Sequence, residues 1–235
     1  MILLTGGTGT LGRAVAARLP TARVLSRRPG PGRVVGDLST GAGLAAALSG
    51  VDTVIHCATS LRARDVVHAR HLVSASLAAG RPHVVYVSIV GIEEIPLAYY
   101  RTKLAVERLL AESGLPWTVL RATQFHDLVL RVFTVQRWSP ALFVPSGTRF
   151  QPVDVRDVAG RLVSLASGPP AGRVADIGGP EVRAVTDLAR SYLRGRRRPV
   201  LPIPLPGKVM RGYRTGANLA PATGTITFEG FLNGE

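Results

Sequence analysis

The stretch MILLTGGTGTLG, residues 1–12, contains the pattern that decides the fold. Its first four residues are apolar and predict a buried strand, and residues 13–19 after it predict a helix. The glycines between them allow a tight turn whose backbone approaches a pyrophosphate, while the helix offers free N–H groups and the positive end of its dipole. Strand, turn and helix together predict a dinucleotide site that is formed by Gly6, Thr8, Gly9, Thr10, Leu11 and Gly12.

Short apolar runs alternate with stretches of helical spacing along the rest of the chain. Strands are predicted at residues 23–26, 33–37, 53–58, 84–88, 117–121, 143–145 and 174–177, and helices at 44–48, 66–79, 99–113, 125–138, 155–167 and 185–193. Four prolines make 199–206 extended. Apolar strands joined by helices predict an α/β fold with a doubly wound, mostly parallel Rossmann-like sheet. We expect a single NAD(P)-binding domain over 1–235, with a discontinuous substrate-binding region at about 124–150 and 180–235.

Composition excludes several classes of protein. The chain has 235 residues and carries 29 Lys+Arg against 15 Asp+Glu, but the arginines are scattered, which argues against specific nucleic-acid binding. No apolar run approaches the ~20 residues of a membrane span. The single cysteine and the absence of room for a signal peptide before the glycine turn favour a cytoplasmic protein. We expect a monomer or homodimer with a small-molecule substrate and, since no ligand spacing is present, no metal.

The residues after the second predicted strand bear on the choice of dinucleotide. Arg27 and Arg28 stand where an NAD site has an acidic residue, and Asp37 is the first carboxylate in the chain. Guanidinium groups bind a 2′-phosphate well, so NADP(H) is the predicted cofactor and NAD(H) the alternative; the other reading is that both arginines are solvated surface residues. Asp37, beside Leu38, either binds the adenine amino group or caps a helical segment at 39–49.

Small residues end the fourth predicted strand, at Cys57, Ala58 and Thr59. They would let the cofactor ribose approach the sheet closely. Cys57 is expected to be a small buried hydrophobe rather than a nucleophile.

Candidate catalytic residues follow the fifth predicted strand. Ser88 ends that strand, and Tyr99 and Lys103 lie four residues apart on one face of the next helix. A carbonyl that accepts hydride needs a proton, which Tyr99 would donate, while the Lys103 ammonium lowers the phenol pKa and bonds the nicotinamide ribose. Ser88 would hold the substrate oxygen. Tyr100, three residues from Lys103, is the rival proton donor.

Residues after the sixth predicted strand are the candidate substrate contacts. Gln124, Phe125 and His126 stand at the strand end where ligands gather in such sheets. Asp154 and Asp157 are expected to cap or pair at the start of their helix.

These segments resemble the NmrA-like, atypical members of the short-chain dehydrogenase/reductase superfamily. The resemblance rests on the turn at 5–12, the pair at 27–28, VSIVG at 87–91, YYRTKLA at 99–105, LPWTVLRATQF at 115–125, VDVRDVA at 153–159 and IGGPE at 177–181. It implies a Rossmann fold, NADP(H), and a reductase acting on a carbonyl or quinone-like molecule. The alternatives are a regulator that senses NADP(H) without catalysis, and a dehydratase or epimerase that retains its dinucleotide.

Overall fold

The computed structural model describes residues 1–60 and 64–234. Its strands are β1 (Ile2–Thr5), β2 (Arg23–Ser26), β3 (Arg33–Val35), β4 (Thr53–His56), β5 (His83–Ile89), β6 (Trp117–Ala122), β7 (Leu142–Pro145), β8 (Arg149–Phe150), β9 (Gly172–Arg173), β10 (Arg183–Ala184) and β11 (Val200–Ile203). Its helices are α1 (Thr10–Arg18), α2 (Leu44–Leu48), α3 (Arg64–Ala78), α4 (Ala98–Glu112), α5 (His126–Thr134), α6 (Val155–Ala166), α7 (Val185–Leu193), α8 (Lys208–Thr215) and α9 (Phe228–Asn233).

The described residues form two compact units. The first comprises 1–88, 98–121 and 158–175, and the second comprises 89–97, 122–157 and 176–235. Both segments predicted as a substrate-binding region fall within the second unit, which also takes in 89–97.

The first unit contains a seven-stranded sheet in the order β3-β2-β1-β4-β5-β6-β9. Pairing is parallel from β3 through β5 and again between β6 and β9. Leu4 of β1, for example, lies opposite Val24 of β2 and Ile55 of β4. This order reverses direction at β1, as in dinucleotide-binding sheets, where ligands bind beyond the carboxyl ends of the strands near the reversal. The predicted fold class is confirmed.

Apolar residues on β1, β4 and β5 form the centre of this unit. Leu3, Val54 and Val84 are fully buried, and Leu72 of α3 and Val106 of α4 join the same cluster. Burial of such a side chain contributes about 1.5–3 kcal/mol, which explains why strands apolar on both faces need helices on both sides.

The prediction of a strand of the sheet at residues 174–177 is wrong. The strand is β9 at Gly172–Arg173, whereas Ile177 makes only an isolated bridge to Ala122 in the second unit. Contact with β6 begins before residue 174, because the Ala171 N–H donates to the Thr118 hydroxyl of β6 at 3.0 Å.

The second unit packs helices α5, α7 and α9 around two short strand pairs. Phe133, Leu142 and Leu188 are fully buried in its core. The proline-rich segment 199–206 contains β11, which pairs in parallel with β7. Proline is tolerated there because β11 is an edge strand of a two-stranded sheet, and an edge strand needs hydrogen bonds on one side only. Helices α8 and α9 were not predicted: both are short, and only α9 has a side-chain N-cap, the Thr227 hydroxyl accepting from Gly230 N–H at 3.0 Å.

Candidate functional site

The glycine turn between β1 and α1 has no space for a side chain at Gly6 or at Gly12. Gly6 adopts a left-handed φ of 73°, and its carbonyl accepts from Gly9 N–H at 2.9 Å. A Cβ on Gly12 would lie 2.0 Å from the Gly6 oxygen, and a Cβ on Gly6 would lie 2.5 Å from the Ala58 nitrogen. Glycine is therefore required at both positions so that helix α1 can start directly against the end of β1.

The N-terminus of α1 is suited to an anion. Gly9 is its N-cap residue and offers no side chain, and the first turn holds no acidic residue. Thr8 is exposed, Thr10 begins the helix, and the buried Leu11 anchors its first turn. Uncapped N–H groups and the helix dipole attract a phosphate, so this turn fits the pyrophosphate of a dinucleotide.

The residues after β2 and β3 present charge at the edge of the sheet. Arg27 and Arg28 are both exposed. Asp37 accepts hydrogen bonds from the Ser39 N–H and hydroxyl, each at 2.8 Å, and these bonds hold the pKa of its carboxyl below the usual value. The alternative in which Asp37 caps a helix over 39–49 is wrong, because α2 begins only at Leu44, with Gly43 as its N-cap.

The segment after β4 approaches the glycine turn closely. The Ala58 N–H donates to the Thr5 hydroxyl at 3.4 Å. Burial raises the pKa of the Cys57 thiol to about 12. A thiol held protonated in this way is a poor nucleophile, which is consistent with the predicted packing role. Leu38 is buried, and its carbonyl lies 2.8 Å from Nδ1 of His71.

Tyr99 is the candidate proton donor that keeps a partly exposed ring, whereas the ring of Tyr100 is buried. The Tyr99 phenol oxygen lies 3.2 Å from the Thr59 hydroxyl oxygen, and Thr59 donates to the Asp65 carboxylate at 2.6 Å. Burial raises the pKa of Tyr99 to about 12, so the group is a phenol at neutral pH. This geometry favours Tyr99 over Tyr100 as the group that reaches a ligand.

Lys103 is buried in α4, one helical turn from the partly exposed Tyr99. It is 4% exposed, and its Nζ donates to the Val87 carbonyl at 2.9 Å and stands 4.5 Å above the Tyr86 ring. Burial lowers the pKa of the Lys103 ammonium to about 8. Ser88, one residue beyond Val87, is buried, and its Oγ has no hydrogen-bond partner among the described residues.

A buried polar layer that sequence reasoning missed supports these residues. The Thr5 hydroxyl bonds Nδ1 of His56 at 2.7 Å, and the His56 ring stacks on that of Tyr86 at 5.4 Å. Burial lowers the pKa of His56 to about 3, so its imidazole is neutral and adds no charge near Lys103. A histidine at the end of an apolar strand was the visible signal.

Gln124, Phe125 and His126 lie in the second unit. Gln124 is 5% exposed; its Oε1 accepts from Asn218 Nδ2 at 3.3 Å, while its Nε2 has no hydrogen-bond partner among the described residues. Asn218, fully buried after α8, was not predicted, because nothing in the sequence relates it to residue 124. Phe125 is the N-cap residue of α5 and is partly buried.

His126 packs inside the second unit. Its ring stacks on Phe231 at 5.1 Å and its Nε2 lies 3.0 Å from the Ile226 carbonyl, while burial lowers its pKa. This placement favours a structural role over substrate contact.

Two aspartates at the start of α6 act as the sequence suggests. Asp154 accepts from the Arg156 N–H at 2.8 Å and pairs with its guanidinium, and Asp157 binds the Thr225 N–H at 2.8 Å. Both carboxylates therefore stabilise local structure, as the sequence predicted, rather than act as acid–base catalysts.

Residues 1–60 and 64–234, which the structure describes, contain neither a metal-ligand cluster nor a membrane-spanning helix. They hold no group of three or more His, Cys, Asp or Glu side chains that could bind a metal ion. None of their helices is long and apolar enough to cross a membrane.

Known proteins resemble this chain over most of its length. The (4-alkanoyl-5-oxo-2,5-dihydrofuran-3-yl)methyl phosphate reductase of Streptomyces griseus is 31% identical over 221 residues, covering 85% of this chain and 75% of that protein. The NAD(P)H azoreductase of Xenophilus azovorans is 30% identical over 217 residues, with the same two coverages of 85% and 75%.

A solved structure has the same fold. The NADPH-dependent quinone oxidoreductase of Escherichia coli, complexed with NADPH, superposes with a TM-score of 0.87 at 20% identity, over 100% of this chain and 99% of that one. The family model described as NAD(P)H-binding matches residues 6–132, from the glycine turn into α5. The predicted resemblance is thus confirmed for the NAD(P)H-binding family, to which the chain belongs, and for the Rossmann fold that it shares with the solved structure.

Proposed function

We propose that this protein is an NAD(P)H-dependent reductase that prefers NADPH and reduces a carbonyl or quinone-like small molecule, with Tyr99 as the proton donor. The observation that carries the proposal is the pairing on α4 of a partly exposed phenol at Tyr99 with a buried ammonium at Lys103. The reductase names of the relatives from Streptomyces and Xenophilus support the reaction class.

Different residues would bind the different parts of the cofactor. The glycine turn and the N-terminus of α1 would hold the pyrophosphate, and Arg27 and Arg28 would take the 2′-phosphate, which accounts for the preference for NADPH. Lys103 would bond the nicotinamide ribose. When bound, the dinucleotide supplies the hydride.

Proton transfer is the task of Tyr99. As the carbonyl oxygen gains negative charge, the Tyr99 O–H bond breaks and the proton passes to that oxygen, leaving a phenolate. The Lys103 ammonium stabilises this phenolate electrostatically. The Ser88 hydroxyl, buried with its hydrogen-bonding capacity unused among the described residues, is suited to hold the substrate oxygen.

NADPH consumption over a panel of aldehydes, ketones, quinones, azo compounds and oxo-dihydrofurans tests the proposal. We expect Tyr99→Phe to lower kcat for a carbonyl substrate by about 100-fold or more, as loss of a general acid does. Tyr192→Phe is the matched control, because Tyr192 packs on Phe133 in the second unit. No NADPH oxidation anywhere in the panel would reject the reductase, and full carbonyl turnover in Tyr99→Phe would reject the proton donor.

A further inference from the structure

Helix α5 carries an apolar stripe on its outer face. Val129 and Phe133 of this helix pack in the core of the second unit. On the other side Leu128 is 53% exposed and Val132 is 46% exposed, and helical spacing puts both on one face with Val135, which is 66% exposed. Single exposed apolar side chains are common on protein surfaces, whereas a contiguous exposed stripe marks an interaction site.

The turn that follows α5 presents a tryptophan to solvent. Trp138 is 86% exposed, more than any other large apolar side chain that the structure describes. The guanidinium carbon of Arg137 lies 5.3 Å from the centroid of its ring. An indole has an apolar body and a polar N–H, which is why tryptophan is enriched where a bilayer meets water.

The charge around the apolar stripe has one sign. Residues 128–153 and 188–228 contain eleven Arg and Lys and no Asp or Glu. Of the four carboxylates that border these two ranges, Asp127 is partly buried, and the other three are paired with arginine: Asp154 with Arg156, Asp187 with Arg190, and Glu229 with Arg183. The exposed Arg131 lies beside the stripe, three residues after Leu128 and four before Val135. Arginines are scattered along the sequence, but acidic residues are missing from these two ranges.

A cluster of arginines is attached to the turn after α5. Nη2 of Arg198 donates to the Ala141 carbonyl at 2.9 Å and also to the Gln136 carbonyl. The adjoining Arg196 and Arg197 are both exposed. These contacts hold several guanidinium groups near the exposed tryptophan.

We propose that the outer face of α5 and the turn after it dock on an anionic lipid bilayer. The apolar stripe and Trp138 enter the boundary between headgroups and acyl chains, and the arginines contact headgroup phosphates, so that the helix lies on the membrane without crossing it. Two copies of this face would bring like charges together, and a soluble polyanion would leave the stripe in water. The proposal is independent of the reductase chemistry, because none of these residues belongs to the candidate site.

Co-sedimentation of the whole protein with sucrose-loaded vesicles gives the first test. We expect binding to vesicles of phosphatidylcholine that contain about 30% phosphatidylglycerol, and none to vesicles of phosphatidylcholine alone. Binding should weaken as NaCl rises from about 0.1 to 0.5 M, because salt screens the attraction. Equal binding to both kinds of vesicle, or binding to neither, would overturn the proposal.

Substitutions at exposed positions, where the fold is not at risk, locate the docking face. Val132→Ser should lower the partition coefficient on anionic vesicles about fivefold and Trp138→Ser about tenfold or more, because apolar surface is lost from the contact. Val67→Ser is the matched control, since Val67 is a helical valine with 43% exposure. Arg131→Gln should lower binding about fivefold, and Arg161→Gln, at an exposed position of α6, should lower it less. Equal losses in a variant and its control would overturn the assignment of the face.

Tryptophan fluorescence distinguishes a bilayer from other occupants. Trp117→Phe leaves Trp138 as the only tryptophan, and circular dichroism checks that this variant is folded. Its emission should shift to the blue on anionic vesicles and be quenched by lipids with brominated acyl chains. The same shift at rising protein concentration without lipid would assign the face to a second copy. Vesicle binding that heparin abolishes and Val132→Ser leaves intact would assign it to a soluble polyanion, and either result would overturn the proposal.

Discussion

Replacement of Gly12 by alanine tests the dinucleotide turn most directly. The added Cβ would lie 2.0 Å from the Gly6 carbonyl oxygen and 2.6 Å from the Gly6 carbonyl carbon. Nonbonded contacts to carbon need at least ~3 Å, so the turn must open by about 1 Å. Both neighbours are backbone atoms and cannot rotate aside, so α1 and its first N–H groups must move.

The cost follows from the bonds that these N–H groups make. A hydrogen bond to a charged group contributes about 1.5–3 kcal/mol, so losing one raises the Kd for NADPH about 10- to 100-fold. Isothermal titration of NADPH measures this directly, and thermal unfolding without cofactor shows whether the variant is folded.

Two other glycines provide graded controls. A Cβ on Gly9 would meet only the Gly6 oxygen, at 3.3 Å, so Gly9→Ala should weaken NADPH binding less than Gly12→Ala. Gly160, inside α6, has only the Arg18 Nε within reach, at 3.8 Å. Gly160→Ala should leave NADPH binding unchanged and stabilise the protein by about 0.5–1 kcal/mol. A folded Gly12→Ala protein with the NADPH affinity of the wild type would refute the reasoning.

Three further predictions concern charge. Arg27→Ser should raise the KM for NADPH about tenfold and leave that for NADH nearly unchanged, because only NADPH carries the 2′-phosphate. Glu107→Gln should cost about 3 kcal/mol in urea unfolding, since Glu107 pairs with the buried Arg121 at 2.7 Å, whereas the exposed Glu112→Gln should cost little. The pKa of Lys103 falls from 10.5 to about 8 on folding, so the unfolded chain binds more protons between those values. The unfolding free energy of the wild type relative to Lys103→Met should therefore rise by ~2 kcal/mol from pH 8 to pH 10.

Each of these three predictions has an outcome that would contradict it. Equal KM changes for both cofactors would remove Arg27 from the 2′-phosphate site. Equal urea midpoints for the two glutamate variants would show that the buried pair adds nothing to stability. A flat difference between wild type and Lys103→Met over pH 8–10 would show that the ammonium is better solvated than its burial implies.

Local sequence determined the parts of this protein that depend on near neighbours. The apolar run, the glycines and the helix at 1–19 lie within one continuous segment, so their pattern alone predicted β1, the turn and α1. The four-residue spacing of Tyr99 and Lys103 put both on one helix by the same logic. Helices α2 and α7 were predicted at their observed bounds because the residues that define each of them also lie within one continuous segment.

Tertiary structure decided whatever depends on residues far apart in the chain. The spacing left Tyr99 and Tyr100 as rivals, and only packing buried one ring and directed the other to Thr59, 40 residues away. The burial of Asp65 could not be predicted either, because a lone aspartate in a helical segment carries no pattern that shows which distant segments will cover it. Burial and hydrogen bonding across distant segments set charge states and directions, and no periodicity in a sequence records them.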